Sequence, residues 1–196
     1  MRDIDIRIAL REKIASRHPE AATRIVEELG VCQGLARVDV AVLNGSVHGY
    51  EIKSERDTLV RLPLQASLYS QALQYVTIVV AESHLDDIVS PGIIPDWWGI
   101  WCACGSHVEF REVRGPKPNP ALSSLALVQF LWRDEAIKML ADRTADGGLR
   151  SKSKAVIWDR LVSTFTTDEL SDLVREQLKK RPEDWLAAPS SVLCGD

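Results

Sequence analysis

The sequence predicts a mixed α/β fold, in which a central sheet with parallel and antiparallel strands is flanked by helices and followed by a helical C-terminal extension. Short runs rich in β-branched residues alternate with helical patterns over the first part of the chain. Two of these runs are joined by Asn44-Gly45, a strong hairpin signal. A proline-rich break at 115–120 (GPKPNP) ends the alternation, and only helical patterns follow. We therefore predict a core over residues 1–115, a helical region over 116–186 and a flexible tail over 187–196.

The N-terminal segment begins with one clear element and one ambiguous one. Residues 4–17 place isoleucine, leucine and alanine among charged side chains, which fits a helix packed on one side of the domain. Residues 23–29 are compatible with either a strand or a helix. A turn region follows between Gly30 and Gly34, because glycine adopts turn conformations readily.

The next two segments form the predicted hairpin. Residues 37–43 (RVDVAVL) and 47–53 (VHGYEIK) have the β-branched and aromatic content of strands and flank the turn. An antiparallel hairpin places the start of its first strand beside the end of its second. Asp39 lies near that start and Glu51 near that end, so we expect the two carboxylates to be neighbours.

Apolar periodicity and the position of a proline predict the remaining helices and strands of the core. Residues 59–73 carry leucines at helical spacing, and Pro63 predicts that this helix begins near Arg61 or Leu62. Residues 75–81 (YVTIVVA) predict a buried strand. Shorter patterns predict a helix at 84–89 and strands at 99–103 and 109–113. In the C-terminal region we predict helices over 122–140, 154–165 and 168–180.

The charge of the chain limits how it can bind nucleic acid. With 24 basic and 28 acidic residues the formal net charge is −4, which argues against strong non-specific binding to duplex DNA. Any contact with nucleic acid must therefore be local. Cations cluster at 2–24, 150–160 and 175–181, and we interpret most of them as solvated helix faces.

The lack of long apolar stretches and of paired cysteine motifs predicts where the protein is located and the redox state of its thiols. No stretch approaches the roughly 20 consecutive apolar residues that cross a bilayer, and the first five residues (MRDID) do not resemble a signal peptide. We therefore expect a cytoplasmic protein that does not bind membranes. The four cysteines form no CxxC pair, which predicts reduced thiols and no cysteine-based zinc site.

The end of the predicted hairpin carries the residues that predict chemistry. Side chains alternate along a strand, so Glu51 and Lys53 lie on the same face. Asp39 and Glu51 carry like charges on neighbouring strands, an arrangement that is destabilising unless something compensates it. A hard divalent cation such as Mg²⁺ would compensate, since it takes oxygen ligands and keeps waters. One of those waters is a natural nucleophile.

Asp39 with Glu51-x-Lys53 resembles the motif of the PD-(D/E)XK phosphodiesterase superfamily, over roughly residues 24–103. Gln65-x-x-x-Tyr69 on the following helix is similar to the extra motif of the RecB-like nucleases in that superfamily. The run GYEIKSERDTLVRLPLQASLY, with PDWWG downstream, also resembles small uncharacterised bacterial and phage proteins assigned to it. The resemblance implies a restriction-endonuclease-like core.

The resemblance also implies a metal centre. Asp39, Glu51 and the backbone carbonyl of Ile52 would ligate one or two Mg²⁺ or Mn²⁺ ions, and Glu28, where such enzymes carry an upstream acid, would complete the coordination. Lys53 would orient the attacking water or help to deprotonate it. The reaction would be hydrolysis of a phosphodiester bond.

Further residues are expected around this centre. Gln65 and Tyr69 lie one turn apart on one helix face and could bond a phosphate or the nucleophilic water. Arg37, Arg56 and Arg61 are candidates for contacts to the phosphates of the nucleic acid.

Three hypotheses follow. The first is a Mg²⁺-dependent nuclease acting on DNA in repair, recombination or a phage-related process, with the C-terminal helices contacting DNA, a protein partner or a second copy in a homodimer. The second is a module that keeps the nuclease fold and binds nucleic acid or a protein without cutting. The third is a generic α/β domain in which Asp39 and Glu51 are merely structural.

Overall fold

The computed structural model describes residues 1–19, 23–105, 107–182 and 184–186. A six-stranded sheet forms its centre, with the strands side by side in chain order. The strands are β1 (Arg24–Val31), β2 (Ala36–Leu43), β3 (Val47–Lys53), β4 (Tyr75–Ala81), β5 (Gly99–Cys104) and β6 (Glu109–Arg114). The helices are α1 (Asp3–Arg17), α2 (Leu62–Ala72), α3 (Leu85–Val89), α4 (Ser124–Val128), α5 (Arg133–Ala141), α6 (Lys154–Thr164) and α7 (Thr167–Lys180).

The sheet is mixed, as the sequence predicts. Strands β1, β2 and β3 are antiparallel neighbours, β3, β4 and β5 are parallel, and β6 returns antiparallel to β5. The turn between β2 and β3 spans residues 44–46, so the predicted hairpin is confirmed. The crossover from β3 to β4 runs through α2, which places this helix against the sheet beside the end of β3.

The two faces of the sheet bury different cores. Helix α1 covers one face, where Ile6, Leu10 and Ile14 of the helix pack with Tyr50 and Ile52 of β3. The other face packs on α2 and on the C-terminal helices in a larger apolar cluster. Because both faces are covered, the central strand β4 reads as a continuous apolar run apart from one threonine.

The prediction of one helix over 122–140 is wrong, because the structure has α4 and α5 separated by a turn. Trp132 has extended backbone angles, and its N–H donates to the side chain of Glu135 at 2.7 Å. Arg181, distant in the sequence, binds the same carboxylate at 2.5 Å. A tertiary contact therefore fixes the start of α5 within a continuous apolar pattern.

Other sequence predictions have mixed outcomes. The ambiguous segment 23–29 belongs to β1, and the predicted strands at 47–53 and 75–81 agree with β3 and β4. In the part of the chain that the structure describes, no helix combines the length and apolar character needed to cross a bilayer. The predicted tail at 187–196 lies outside the described residues, and the proposed division at residue 115 stays a prediction.

Candidate functional site

Strand β3 delivers Glu51 and Lys53 to the face of the sheet that lies under α2. Both side chains are buried, with residue exposures of 2% and 4%. Lys53 Nζ donates to Glu51 Oε1 at 2.6 Å. Two buried opposite charges need this pairing, because an unpartnered charge in the interior costs several kcal/mol.

Helix α2 supplies the other partners of Glu51. Gln65 Nε2 donates to Glu51 Oε1 at 2.6 Å, and Lys53 donates to Gln65 Oε1 at 3.0 Å. One turn later, the Tyr69 hydroxyl lies 2.7 Å from Glu51 Oε2. Burial and the charge of Glu51 raise the pKa of Tyr69, so its proton stays in place as a donor. The four residues form one hydrogen-bonded cluster, in which Gln65 and Tyr69 hold Glu51.

Asp39 lies where β2 and β3 separate. The paired register runs from Leu43↔Val47 to Val40↔Tyr50, and beyond it Asp39 Oδ2 accepts from the N–H of Ile52 at 2.7 Å. The side chain thus replaces the next bond of the ladder. Burial and the nearby charge of Glu51 raise the pKa of Asp39 to about 7, although the Ile52 N–H and Arg7 oppose the shift.

Arg7 of α1 completes the cluster, and the sequence analysis missed it. Its Nη2 donates to Asp39 Oδ1 at 2.8 Å, and its Nη1 donates to the Asp39 carbonyl at 3.0 Å and lies 3.0 Å from Glu28 Oε1. Burial lowers the pKa of Arg7, but the charges of Asp39 and Asp3 more than offset this and raise it overall. Arg7 is therefore an exception to the interpretation of most N-terminal cations as solvated. The sequence spacing gives no signal for its contact with Asp39, because that contact depends on how α1 packs on the sheet.

Glu28 lies across from Asp39 in the register of β1 and β2, but its side chain is 47% exposed at the rim. Its φ of 55° is in the left-handed region, which costs a non-glycine residue on the order of 1 kcal/mol or more. The unusual backbone interrupts the regular alternation of β1 at this point. Glu28 pairs with Arg7 and lies 4.0 Å from Arg37, so its carboxylate is shared between two guanidinium groups.

The predicted phosphate-binding arginines are not gathered at the cluster. Arg56 and Arg61 are exposed in the connection between β3 and α2, and none of the ion pairs found among the described residues joins either of them to Asp39, Glu51 or Glu28. Arg37 is nearer. Its carbonyl oxygen lies 2.7 Å from the Tyr69 hydroxyl, and its side chain lies near Glu28 at the surface.

The donor set allows a test of the implied metal centre. Within the described ranges, no group of three or more His, Cys, Asp or Glu side chains is arranged to hold a metal. The expected three-acid set is not assembled, because Arg7 binds Glu28. The charge of Glu51 nevertheless acts on Asp39 and contributes to its raised pKa. Mg²⁺ is commonly held by only one or two carboxylates, with waters and substrate phosphates as the other ligands. The two carboxylates are the donors that such a smaller site would use, and the site itself stays a prediction, as does the carbonyl of Ile52 as a ligand.

Comparison with known proteins shows that the chain is similar in sequence to a phage protein. A family model described as "Bacteriophage P4 protein cII" matches residues 1–187. Protein cII of Enterobacteria phage P4 is 28% identical over 141 residues, which are 71% of this chain and 53% of that protein. The chain therefore spans about half the length of this relative. Among solved structures, the SPO1766 protein of unknown function from Silicibacter pomeroyi matches with a TM-score of 0.41 and 20% identity over 70% of this chain and 89% of that one.

Proposed function

We propose that this chain, which belongs to the bacteriophage P4 protein cII family, is a metal-dependent nuclease of the PD-(D/E)XK superfamily, RecB-like type, that hydrolyses phosphodiester bonds in DNA. One observation carries the proposal. Glu51, Lys53, Gln65 and Tyr69 form one hydrogen-bonded group at the end of β3. Asp39, half-buried and bonded to the N–H of Ile52, lies near enough for the charge of Glu51 to raise its pKa. The description of the family supports a phage-related setting, and roles in DNA processing, repair or recombination stay predictions.

The acidic and basic side chains of the cluster support a role in binding a divalent cation and a phosphate. Asp39 and Glu51 would hold Mg²⁺ or Mn²⁺, which when bound lowers the pKa of a water and neutralises charge on the phosphate. Gln65 and Tyr69 are positioning residues, because their hydrogen bonds fix both oxygens of Glu51. Lys53 lies 2.6 Å from Glu51 Oε1, where its ammonium can donate to a water or phosphate oxygen beside the carboxylate.

The hydrogen bond from Arg7 to Asp39 bears on this function, because it occupies a proposed metal ligand. The guanidinium of Arg7 binds Oδ1 of Asp39, so a metal held by this carboxylate would compete with it. Arg7 also pairs with Glu28, and its guanidinium would be well suited to donate to a phosphate there.

The direct test is cleavage of labelled single-stranded, double-stranded and branched DNA in Mg²⁺, Mn²⁺ or EDTA. We expect metal-dependent cutting that is lost in Lys53→Ala and Asp39→Ala, with unfolding curves showing that each variant folds. Lys152→Ala, a change of an exposed lysine distant in sequence from the cluster, is the matched control and should cut like the wild type. Well-folded wild-type protein that cuts none of these substrates would refute the proposal.

A second candidate is a nuclease-fold module that binds nucleic acid or a protein without cutting. The observation that favours it is the Arg7 guanidinium, which already neutralises part of the charge that a metal would neutralise. Calorimetric titration separates the two candidates, because the silent module predicts no Mg²⁺ binding at pH 8 and the nuclease predicts binding that Asp39→Ala removes.

A further inference from the structure

A second concave site opens beside the candidate active site. Its volume is about 440 Å³, within the range of pockets that enclose small organic ligands. It reaches from Glu28 and Arg37 on β1 and β2 to the start of α6. The side chains that matter for its chemistry are Arg37, Phe130, Trp132, Lys154, Trp158 and Trp185.

The interior of this pocket is aromatic and preorganised. The guanidinium of Arg181 lies 4.2 Å from the ring centroid of Trp132 and 4.5 Å from that of Trp185. Glu135 binds that guanidinium at 2.5 Å, so the charge is neutralised and the two indoles are held in place. Trp158 is half-buried on the opposite helix, and among the described residues no ring or cation stacks on it. Trp158 packs partly against the apolar core and lines the pocket, so the accessible part of its indole can contact a planar ligand there.

The rim of the pocket favours an anion, although the chain as a whole is acidic. Lys154 is the first residue of α6, whose first turn holds no acidic residue and whose N-cap, Ser153, makes no side-chain capping bond. Free backbone N–H groups and the helix dipole both favour a negative charge at such an end. Lys154 has no ion-pair partner within the described ranges, and Arg37, 65% exposed, lies 4.0 Å from its only paired acid there.

We propose that this pocket binds an unpaired nucleobase of the strand cut at Asp39 and Glu51, with Lys154 and Arg37 contacting flanking phosphates. The inference rests on the proposed function and specifies its substrate. Glu28 and Arg37 line the pocket and also contact Arg7 and Tyr69 beside the carboxylates, so the two sites are adjacent. A paired base cannot stack on Trp158, because it is already stacked within the duplex. The preferred substrate is therefore a single strand or the unpaired part of a branched DNA.

The test measures binding in EDTA, so that it does not depend on cleavage. We follow the fluorescence anisotropy of a labelled ten-nucleotide oligo-dT and of the corresponding dT·dA duplex. We expect the single strand to bind more tightly, Trp158→Ala to weaken it by roughly five- to a hundredfold, and Trp158→Phe to retain most of the binding. Lys154→Ala should weaken binding and reduce the salt dependence by about one counterion.

The controls make each result decisive. Trp97→Ala removes a partly buried indole outside the pocket and Lys152→Ala an exposed cation, so both should bind like the wild type. Unchanged binding in Trp158→Ala, or no binding of the single strand by the wild type, would overturn the pocket proposal. Loss of binding in Trp158→Ala without cleavage by the wild type would sustain the pocket and refute the nuclease. Cleavage with a KM unchanged in Trp158→Ala would sustain the nuclease and overturn the pocket.

Discussion

Replacing Arg7 with methionine leaves the carboxylate of Asp39 buried beside that of Glu51 without the guanidinium that now donates to it. Arg7 gives Asp39 two hydrogen bonds, to Oδ1 and to the carbonyl oxygen, while the Ile52 N–H remains as a partner in the variant. The side chains of Arg7 and Asp39 are only 14% and 18% exposed, so water screens the pair weakly. Methionine keeps the apolar length of the side chain, so the substitution removes mainly the charge.

The expected loss of unfolding free energy in Arg7→Met depends on pH. Hydrogen bonds to charged groups contribute about 1.5–3 kcal/mol each, and breaking a buried pair costs about 3–5 kcal/mol. At pH 8, where Asp39 is ionised, we expect the free energy of unfolding to fall by about 3 kcal/mol. Because the pKa of Asp39 is raised to about 7, its carboxyl is mostly protonated at pH 5 in the folded protein, and the loss there should be about 1 kcal/mol.

The direction in which stability changes with pH follows from the protons that Asp39 binds in the folded and unfolded states. The folded protein binds more protons at Asp39 than the unfolded chain does between about pH 4 and pH 7, since the ordinary pKa is 3.8. This group therefore lowers stability as the pH rises through that window. Without Arg7 the pKa of Asp39 rises further, so the stability of the variant continues to fall above pH 7, where the contribution of Asp39 in the wild type levels off.

Mg²⁺ should rescue the variant if Asp39 and Glu51 form a metal site. A cation held by Asp39 and Glu51 would offset the lost charge of the guanidinium, and a concentration about 30 times the Kd would restore roughly 2 kcal/mol. The assay is urea denaturation at pH 5 and pH 8, in EDTA and in Mg²⁺. Arg11→Met is the matched control, because Arg11 is 58% exposed with one ion pair, to Glu27, and should cost less than about 1 kcal/mol at either pH.

Two outcomes would refute this reasoning. An equal loss at pH 5 and pH 8 would mean that Arg7 stabilises the protein through packing rather than through the charge of Asp39. A pH-dependent loss without any response to Mg²⁺, while Arg11→Met behaves as expected, would keep the ion pair and refute the metal site.

Three further predictions concern the same region. The affinity for Mg²⁺ should fall about tenfold per pH unit below pH 7, because the metal must displace the proton of Asp39, and a flat calorimetric profile from pH 6 to pH 8 would contradict this. Tyr69→Phe should lower the free energy of unfolding by about 1–3 kcal/mol, since Glu51 loses a buried donor; denaturation at pH 8 measures this. Gly49→Ala should cost about 1–3 kcal/mol, because its Cβ would lie 2.7 Å from Leu73 Cδ1, and a loss below about 0.5 kcal/mol would show that the packing gives way.

Local periodicity predicted the two residue pairs in the central part of the site. Glu51 and Lys53 share a face because strands alternate, and Gln65 and Tyr69 share a face because four residues make about one helical turn. Both rules act within one element, so neither relates the strand to the helix. The resemblance to the RecB-like nucleases linked the two pairs, and the connection between β3 and α2 brings them together in the structure.

Longer-range features were beyond this kind of reasoning. Arg7 reaches Asp39 because α1 packs across the face of β2 and β3, and no sequence spacing specifies that packing direction. The left-handed backbone of Glu28 occurs without the glycine that usually signals it. The break before α5 depends on Arg181, which binds Glu135 from the far end of the described chain.

The balance of charge around Asp39 connects the proton, the arginine and the proposed metal. Among the described residues, four carboxylates in this region meet three cations, and this set comprises Asp3, Glu28, Asp39, Glu51, Arg7, Arg37 and Lys53. The excess is one negative charge, and burial prevents water from screening the part of it that falls on Asp39 and Glu51. A raised pKa at Asp39 is the expected consequence, because a proton is the simplest way to reduce the excess. A divalent cation would also remove it, so acid and metal should compete for this site, and conditions that protonate Asp39 should weaken metal binding and cleavage together.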